Sequence, residues 1–218
     1  MQKSGGQNLD VGVLNGTARS RGRPRAFDRE AALDTATRLF WSKGYAATSI
    51  SDLTEAMGIG SPSLYAAFGS KEELYAESLS HFGERFEALV WGNFRAAATA
   101  YQAVEALLMD SAAAFTGSCG QNDPRGCMVT LSAVGSEGHV ELGERVRAAR
   151  ALAVTRIEQR FGQAVTEGEL GADTDIPGLA RLVVAVQNGM SILARDGASR
   201  AELEAVARHA MRAWPDAA

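Results

Sequence analysis

Two short segments with helical character, separated by a glycine-containing turn within residues 49–68, constrain the fold of this chain more than any other feature. The first segment repeats apolar residues three and four positions apart and ends at Gly58. The second begins at Ser61-Pro62, where serine can cap a helix and proline fits its first turn, and it ends before Gly69. A DNA-reading helix-turn-helix needs this order of parts, although any two short helices joined by glycine share it.

Helical periodicity also dominates the rest of the chain beyond residue 26. One helix is predicted from Asp28 to about Gly44, and a long one from Ser70 onward. Further helices are expected at about 99–116, 127–135, 138–167, 176–195 and 199–213. Because no strand-like alternation competes with this pattern, the predicted fold class is all-α.

The first 26 residues have a different composition. They are rich in Gly, Ser, Asn and Arg and show no sustained periodicity, which predicts a disordered segment. The formal net charge of the chain is −4, so overall charge does not indicate nucleic-acid binding. However, Arg19, Arg21, Arg23 and Arg25 fall within seven residues, and this cluster predicts a basic arm at residues 1–26.

Several functional classes receive little support from the sequence. No apolar run is long enough for a membrane span and no signal peptide is evident, so we expect a cytoplasmic protein with no membrane partner. The two cysteines lack companions at zinc-binding spacing, so we expect neither a metal nor a cofactor. With three scattered histidines, no phosphate loop and no nucleophile motif, a small helical enzyme is the disfavoured alternative.

Residues 39–75, LFWSKGYAATSISDLTEAMGIGSPSLYAAFGSKEELY, closely resemble the signature of the TetR family of transcriptional regulators. The resemblance implies a three-helix DNA-binding domain at 27–75, with its helix-turn-helix at about 49–68. It also implies a helical effector-binding and dimerisation domain at 76–218. The expected function is DNA-binding regulation of transcription by a repressor, released from a palindromic operator by a small-molecule or thiol-reactive effector. An effector-independent activator or architectural DNA-binding protein is the alternative.

The resemblance also assigns DNA-contacting positions. The start of the recognition helix supplies candidates for base and phosphate contacts, namely Ser61, Pro62, Ser63 and Tyr65. Thr48 and Lys71 match positions that usually bind phosphate. The recognition helix has no Arg, Asn or Gln, the residues that read bases most strongly, so we expect Arg21, Arg23 and Arg25 to add minor-groove or phosphate contacts. A merely solubilising tail is the alternative for these arginines.

Inferences about the second half rest on fewer residues. The last two helices carry small and apolar residues on broad faces, as the intersubunit four-helix bundle of this family would require. We therefore expect a homodimer through these helices. An effector pocket should combine aromatic, Met and polar side chains. The candidates are Trp91, Phe94, Tyr101, Phe115, Cys127, Met128, Phe161 and Gln187, and each also suits an ordinary core position.

Cys127 carries a separate hypothesis. The stretch PRGCMVTLSAVG resembles a subgroup of the family in which such a cysteine opens a middle helix, and some of these proteins sense electrophiles or oxidants. A helix N-terminus lowers a thiol pKa, and Arg125 would add to that effect. Cys119 is the candidate resolving partner. A buried, inert Cys127 is the alternative.

Overall fold

The computed structural model describes residues 27–117 and 123–215. The predicted basic arm with Arg21, Arg23 and Arg25, as well as Cys119, lies outside these residues. The described part of the chain is helical and contains no strand. Its helices are α1 (Arg29–Lys43), α2 (Ile50–Met57), α3 (Ser61–Phe68), α4 (Lys71–Ala96), α5 (Ala100–Phe115), α6 (Met128–Leu131), α7 (Val140–Glu167), α8 (Ile176–Arg195) and α9 (Arg200–Met211).

These helices confirm the all-α prediction, and most boundaries lie within two residues of those expected. The helix expected over 127–135 is the exception, because α6 is a single turn that ends at Leu131. The backbone of Ser132 is extended. The Arg150 side chain donates hydrogen bonds to the carbonyl oxygens of Val129, Thr130 and Ser132. A helix end satisfied in this way needs no further turn.

Helix starts follow the sequence signals closely. Ser49 accepts a hydrogen bond from the backbone N–H of Asp52, whose carboxylate in turn accepts one from the Ser49 N–H, so a capping box begins α2. Gly58 ends α2 in the left-handed conformation, which costs glycine little because it has no side chain. The turn of the helix-turn-helix is therefore set locally.

The first three helices close a small core against the start of α4. Leu53 of α2 and Leu64 of α3 are fully buried in it. The ring of Tyr75 on α4 packs edge-on against the rings of Phe40 and Tyr45, with both centroid separations at 5.0 Å. These contacts attach α4 to the three-helix unit.

Helices α5 to α9 form a second helical layer around the far part of α4. Helix α4 packs on both α1 and α5, so it connects the two halves of the molecule. Helix α8 is long and apolar enough to pass for a membrane span by length and composition alone. It instead packs against α5, α7 and α9, and leaves large apolar side chains exposed, namely Leu182, Ile192 and Leu193.

Candidate DNA-binding surface and effector cavity

The N-terminal turn of α3 presents its polar side chains outward. Pro62 and Ser63 are exposed, Ser61 is half-buried, and the Tyr65 side chain is 46% exposed. Leu64, on the opposite face of the helix, is buried and packs in the three-helix core. The residues predicted to contact DNA from this helix therefore share a surface that a duplex can reach.

Thr48 has a different environment from the one that a phosphate contact needs. Its side chain is completely buried, and its hydroxyl donates a hydrogen bond of 2.7 Å to the Gly44 carbonyl oxygen. The hydroxyl thus joins the end of α1 to the segment before α2. The structure corrects the expectation for this residue, since a buried hydroxyl already bonded to the backbone cannot reach a phosphate.

Lys71 lies at the start of α4, next to the end of the recognition helix. Its ammonium nitrogen sits 4.1 Å from the centroid of the Tyr45 ring, a cation–π contact that orients the side chain. The Tyr45 hydroxyl donates to the Glu72 carboxylate at 2.6 Å, and this bond lowers the pKa of Glu72. Burial lowers the pKa of Lys71, because the ammonium group is partly removed from solvent.

Arg29 joins the recognition helix α3 to α1 and α4, and the sequence analysis did not predict this role. Its guanidinium donates to the Ala67 carbonyl oxygen near the end of α3 and to the Glu77 carboxylate on α4. It also covers the Phe68 ring at 4.5 Å from the centroid. The sequence offers one indication of this role. Arg29 lies in the first turn of α1, where the helix dipole favours an acidic residue, so an arginine there suggests a tertiary contact.

A cavity of about 630 Å³ lies among α4, α5, α6, α7 and α8. Of the predicted pocket residues, Trp91, Phe115, Cys127 and Gln187 line it. Its size falls within the range typical of small-molecule sites.

The structure places the other four candidates elsewhere. Tyr101 is partly exposed, and its ring packs edge-on against Trp214, as does the ring of buried Phe161. Phe94 packs against Trp91 within the core. Met128 is also buried, and neither residue lines the cavity. The expected pocket role of these four residues is therefore corrected: Phe94, Met128 and Phe161 are core residues, and Tyr101 is exposed beside Trp214.

Several wall residues were not predicted, among them Phe82, Phe86, Thr130, Arg150, Arg156 and Asn188. The rings of Phe82, Phe86 and Phe115 are nearly parallel, with successive centroids 5.2 and 5.6 Å apart, and give the cavity an aromatic side. The signal for Arg150 was its position on the otherwise apolar face of α7 that carries Val146 and Ile157. Because charged residues are seldom buried, an arginine on an apolar helix face indicates a specific structural or binding role.

Most polar groups of the wall have partners in the protein. The Gln187 side-chain amide donates to the Ser111 hydroxyl at 2.8 Å, and the Thr130 hydroxyl donates to the Asn188 side-chain oxygen at 2.9 Å. Arg156 pairs with Glu87 at 2.6 Å and lies over the Trp91 ring. These bonds join α8 to α5 and α6, and α7 to α4.

Cys127 forms part of the wall, but its thiol differs from the predicted one. Burial raises the pKa of Cys127, so the thiol form is favoured; the expectation of a lowered pKa is wrong. The helix that Cys127 precedes is a single turn, too short for a substantial dipole. Arg125, expected to assist, donates instead to the Ala198 carbonyl oxygen. The Cys127 backbone N–H donates to the Ser191 hydroxyl at 2.8 Å, which fixes the segment on α8.

Charged groups connect the cavity half to the three-helix half. Asp123, whose side chain is 1% exposed, pairs with Arg85 of α4 at 2.9 Å and with Arg38 of α1 at 3.1 Å. Arg85 also pairs with Asp34 of α1 at 3.0 Å. The segment that leads to Cys127 is therefore joined to both α1 and α4 by ion pairs.

Within residues 27–117 and 123–215, no cluster of His, Cys, Asp or Glu side chains has the form of a metal site.

Comparisons with known proteins agree on one family. Residues 32–78 match the sequence profile of bacterial regulatory proteins of the tetR family. The HTH-type transcriptional repressor ComR of Escherichia coli (strain K12) is 36% identical over 200 residues, which span 91% of this chain and 94% of ComR. A cysteine-substituted variant of the TetR family transcriptional regulator CifR, solved with 26 bp double-strand operator DNA, is similar at 39% identity and a TM-score of 0.82. That similarity covers 89% of this chain and 100% of the CifR chain.

Proposed function

This chain belongs to the TetR family of bacterial regulatory proteins, and from that membership we propose that it is a transcriptional repressor that binds operator DNA through α3. The observation that carries the proposal is the exposed first turn of α3 on a closed three-helix core. A relative of 39% identity has been solved with operator DNA, which supports the same partner for this chain. Family membership favours a regulator over an enzyme.

Binding to an operator tests the proposal directly. A palindrome upstream of the gene or of its divergent neighbour is labelled, and the purified protein is titrated into it with fluorescence anisotropy as the readout. We expect specific binding that exceeds binding to a shuffled duplex of the same composition by about 1,000-fold or more. Equal affinity for both duplexes would contradict specific regulation. Reporter expression with and without the gene then distinguishes a repressor from an activator or an architectural protein.

We propose that the active form is a homodimer through α8 and α9. The exposed apolar residues of α8, Leu182, Ile192 and Leu193, support this because a surface of this kind on a monomer marks an interaction site. Two-fold symmetry would set the recognition helices about 34–36 Å apart, one turn of DNA. Sedimentation at micromolar concentration tests the proposal, and a monomer would contradict it. A DNA-binding dimer of this kind acts in the cytoplasm, where bacterial DNA is.

We propose that the arginine-rich arm at residues 1–26 adds contacts outside the recognition helix. The sequence of α3, which has no Arg, Asn or Gln, supports a need for such contacts. Deletion of residues 1–25 should weaken operator binding and flatten its dependence on salt, since each lost phosphate contact lowers the slope. An unchanged salt slope would indicate a solubilising tail.

Release from DNA follows when an effector binds the DNA-incompetent arrangement more tightly. A shift from 1:99 to 99:1 needs about 5.5 kcal/mol of differential binding. The cavity beside α4 supports a small-molecule effector, because α4 also carries the contacts to α1.

A thiol-reactive effector is the second candidate, supported by the position of Cys127 in the cavity wall. Its raised pKa means that reaction requires local opening or a reagent that reacts within the cavity. Cys127→Ser separates the two candidates. It should abolish the response to an electrophile but preserve the response to a non-covalent ligand.

A further inference from the structure

Arg150 is a cation in the cavity wall that has no acidic partner among the described residues. Its Nε and Nη2 atoms donate to three backbone carbonyl oxygens at 2.7–3.1 Å, those of Val129, Thr130 and Ser132. Carbonyl oxygens satisfy hydrogen-bond donors, but they do not neutralise a charge. A carboxylate forms charge-assisted bonds about twice as strong as neutral ones and matches the planar guanidinium with two oxygens.

The other charged groups of the wall are arranged differently. Glu87 is paired with both Arg156 and Arg95, and Glu84 is exposed to solvent. Arg150 is thus the partly buried charge of the wall that lacks a counter-charge within residues 27–117 and 123–215. A single cation without an acidic partner is matched by a ligand that carries one negative charge rather than two.

Most of the remaining wall is apolar. The three stacked rings of Phe82, Phe86 and Phe115 are joined by Leu79, Trp91, Val129, Ala149, Leu152, Ala153 and Val184. A ligand that fills this space must therefore have an apolar body, and aromatic faces suit a flat one.

We infer that the cavity binds a small amphipathic monoanion, with its carboxylate on Arg150 and its apolar body against the phenylalanine stack. This inference rests on the proposed function, in which the cavity receives the effector, and adds the chemical class of that effector. Neutral apolar molecules of the same shape would occupy the same space, but they would not engage the charge on Arg150.

Binding of the carboxylate has a structural consequence outside the cavity. The Ser132 hydroxyl lies 2.8 Å from the Tyr75 hydroxyl, and Tyr75 packs against Phe40 and Tyr45 of the DNA-binding half. A carboxylate that binds Arg150 through Nη1 and Nη2 competes with the carbonyls of Thr130 and Ser132 for Nη2. The segment that contacts Tyr75 is then held less firmly, which connects the occupied cavity to the position of α4.

A matched ligand pair tests the inference. Phenylbutyrate and phenylbutanol have the same apolar body and differ in the carboxylate, and calorimetry measures their binding to the full chain. We expect phenylbutyrate to bind wild type about tenfold more tightly or better, as a charged hydrogen bond allows. Phenylbutyrate should also be the better of the two at releasing the operator duplex.

Arg150→Gln should erase the preference for the carboxylate while phenylbutanol still binds. Arg145→Gln removes the same charge from an exposed position of α7 and should keep the preference. Because Arg150→Gln also loses carbonyl contacts, Arg150→Lys serves as a second variant that retains the charge and should retain part of the preference. Circular dichroism and operator binding without ligand check that each variant is folded.

Equal affinity of wild type for the two compounds, or an undiminished preference in folded Arg150→Gln, would overturn the inference. Either result can occur in a protein that still binds its operator. Failure of the proposed function is a different outcome, namely absence of operator binding by the unliganded wild type.

Discussion

Arg195 donates a hydrogen bond of 2.9 Å to the carbonyl oxygen of Trp41, which joins the last turn of α8 to the last turn of α1. The same guanidinium donates to the carbonyl oxygens of Ser42 at 3.2 Å and Arg125 at 2.9 Å. One side chain therefore connects the DNA-binding half, the segment before Cys127 and the helix that carries Gln187. Burial lowers the pKa of Arg195, but an arginine remains charged at any physiological pH.

Arg195→Ala should destabilise the protein by about 1–3 kcal/mol, because three carbonyls lose a charged donor. It should also reduce the effect of an effector on operator affinity, since one connection between the halves is removed. Urea unfolding and operator titration with and without ligand measure the two effects. Arg145→Ala, at an exposed site, is the control and should change neither. An Arg195→Ala protein with wild-type stability would show that these bonds contribute little.

Gly126→Ala should be strongly destabilising. Gly126 has a φ of +80°, and a Cβ there would lie 2.7 Å from the Ser191 carbonyl oxygen, so both backbone strain and a clash arise. We expect a loss of about 2 kcal/mol or more. Gly162→Ala is the matched control, because a Cβ there meets nothing within 4 Å, and it should stabilise α7 by up to about 1 kcal/mol. Thermal unfolding distinguishes the two, and equal effects would contradict the geometry.

The capping box of α2 predicts a pH dependence. Hydrogen bonds from Ser49, with a further one from Lys43, lower the pKa of Asp52 from 3.8 to about 2. A lowered pKa in the folded state means that Asp52 stabilises the fold above pH 3.8 and that this contribution is lost as the pH falls toward 2. Asp52→Asn should be less stable at neutral pH, and the difference from wild type should shrink through this range. A difference that stays constant with pH would exclude the ionised cap.

Lys71→Gln should weaken binding to operator and to shuffled DNA alike. Lys71 begins α4, three residues after the end of α3, and its ammonium group lies over the Tyr45 ring. A phosphate contact from this position carries no sequence information. The slope of log affinity against log salt should fall by about one. Arg145→Gln removes an equal charge from an exposed position of α7 and should leave the slope unchanged. A normal slope for Lys71→Gln would mean that this lysine only packs on Tyr45.

Tyr65→Ala and Leu64→Ala should separate DNA contact from folding at neighbouring positions. Tyr65 is largely exposed, so its loss should cost operator affinity about tenfold while stability changes by less than about 1 kcal/mol. Leu64 is fully buried, and Leu64→Ala should cost about 2–5 kcal/mol of folding stability. If Tyr65→Ala binds operator normally, the residue is not part of the recognition surface.

Local features of the structure could be predicted from the sequence because their causes are local. Ser49 with Asp52 starts α2 and Gly58 ends it, and both effects depend on residues within a few positions. The exposure of Tyr65 beside buried Leu64 follows from helical phase alone. The family resemblance added the role of this surface, since the periodicity itself did not indicate DNA.

The sequence alone thus determined the helices, their order and the face of α3 that meets solvent, because backbone hydrogen bonding and side-chain periodicity act over short distances. Only the tertiary structure decided that Thr48 is buried, that Cys127 has a raised pKa and that Arg150 lines the cavity. These properties depend on residues far apart in the chain, as in the contacts of Arg150 with Val129 and of Arg195 with Trp41. Burial and charge pairing arise when helices pack, so no local pattern specifies them.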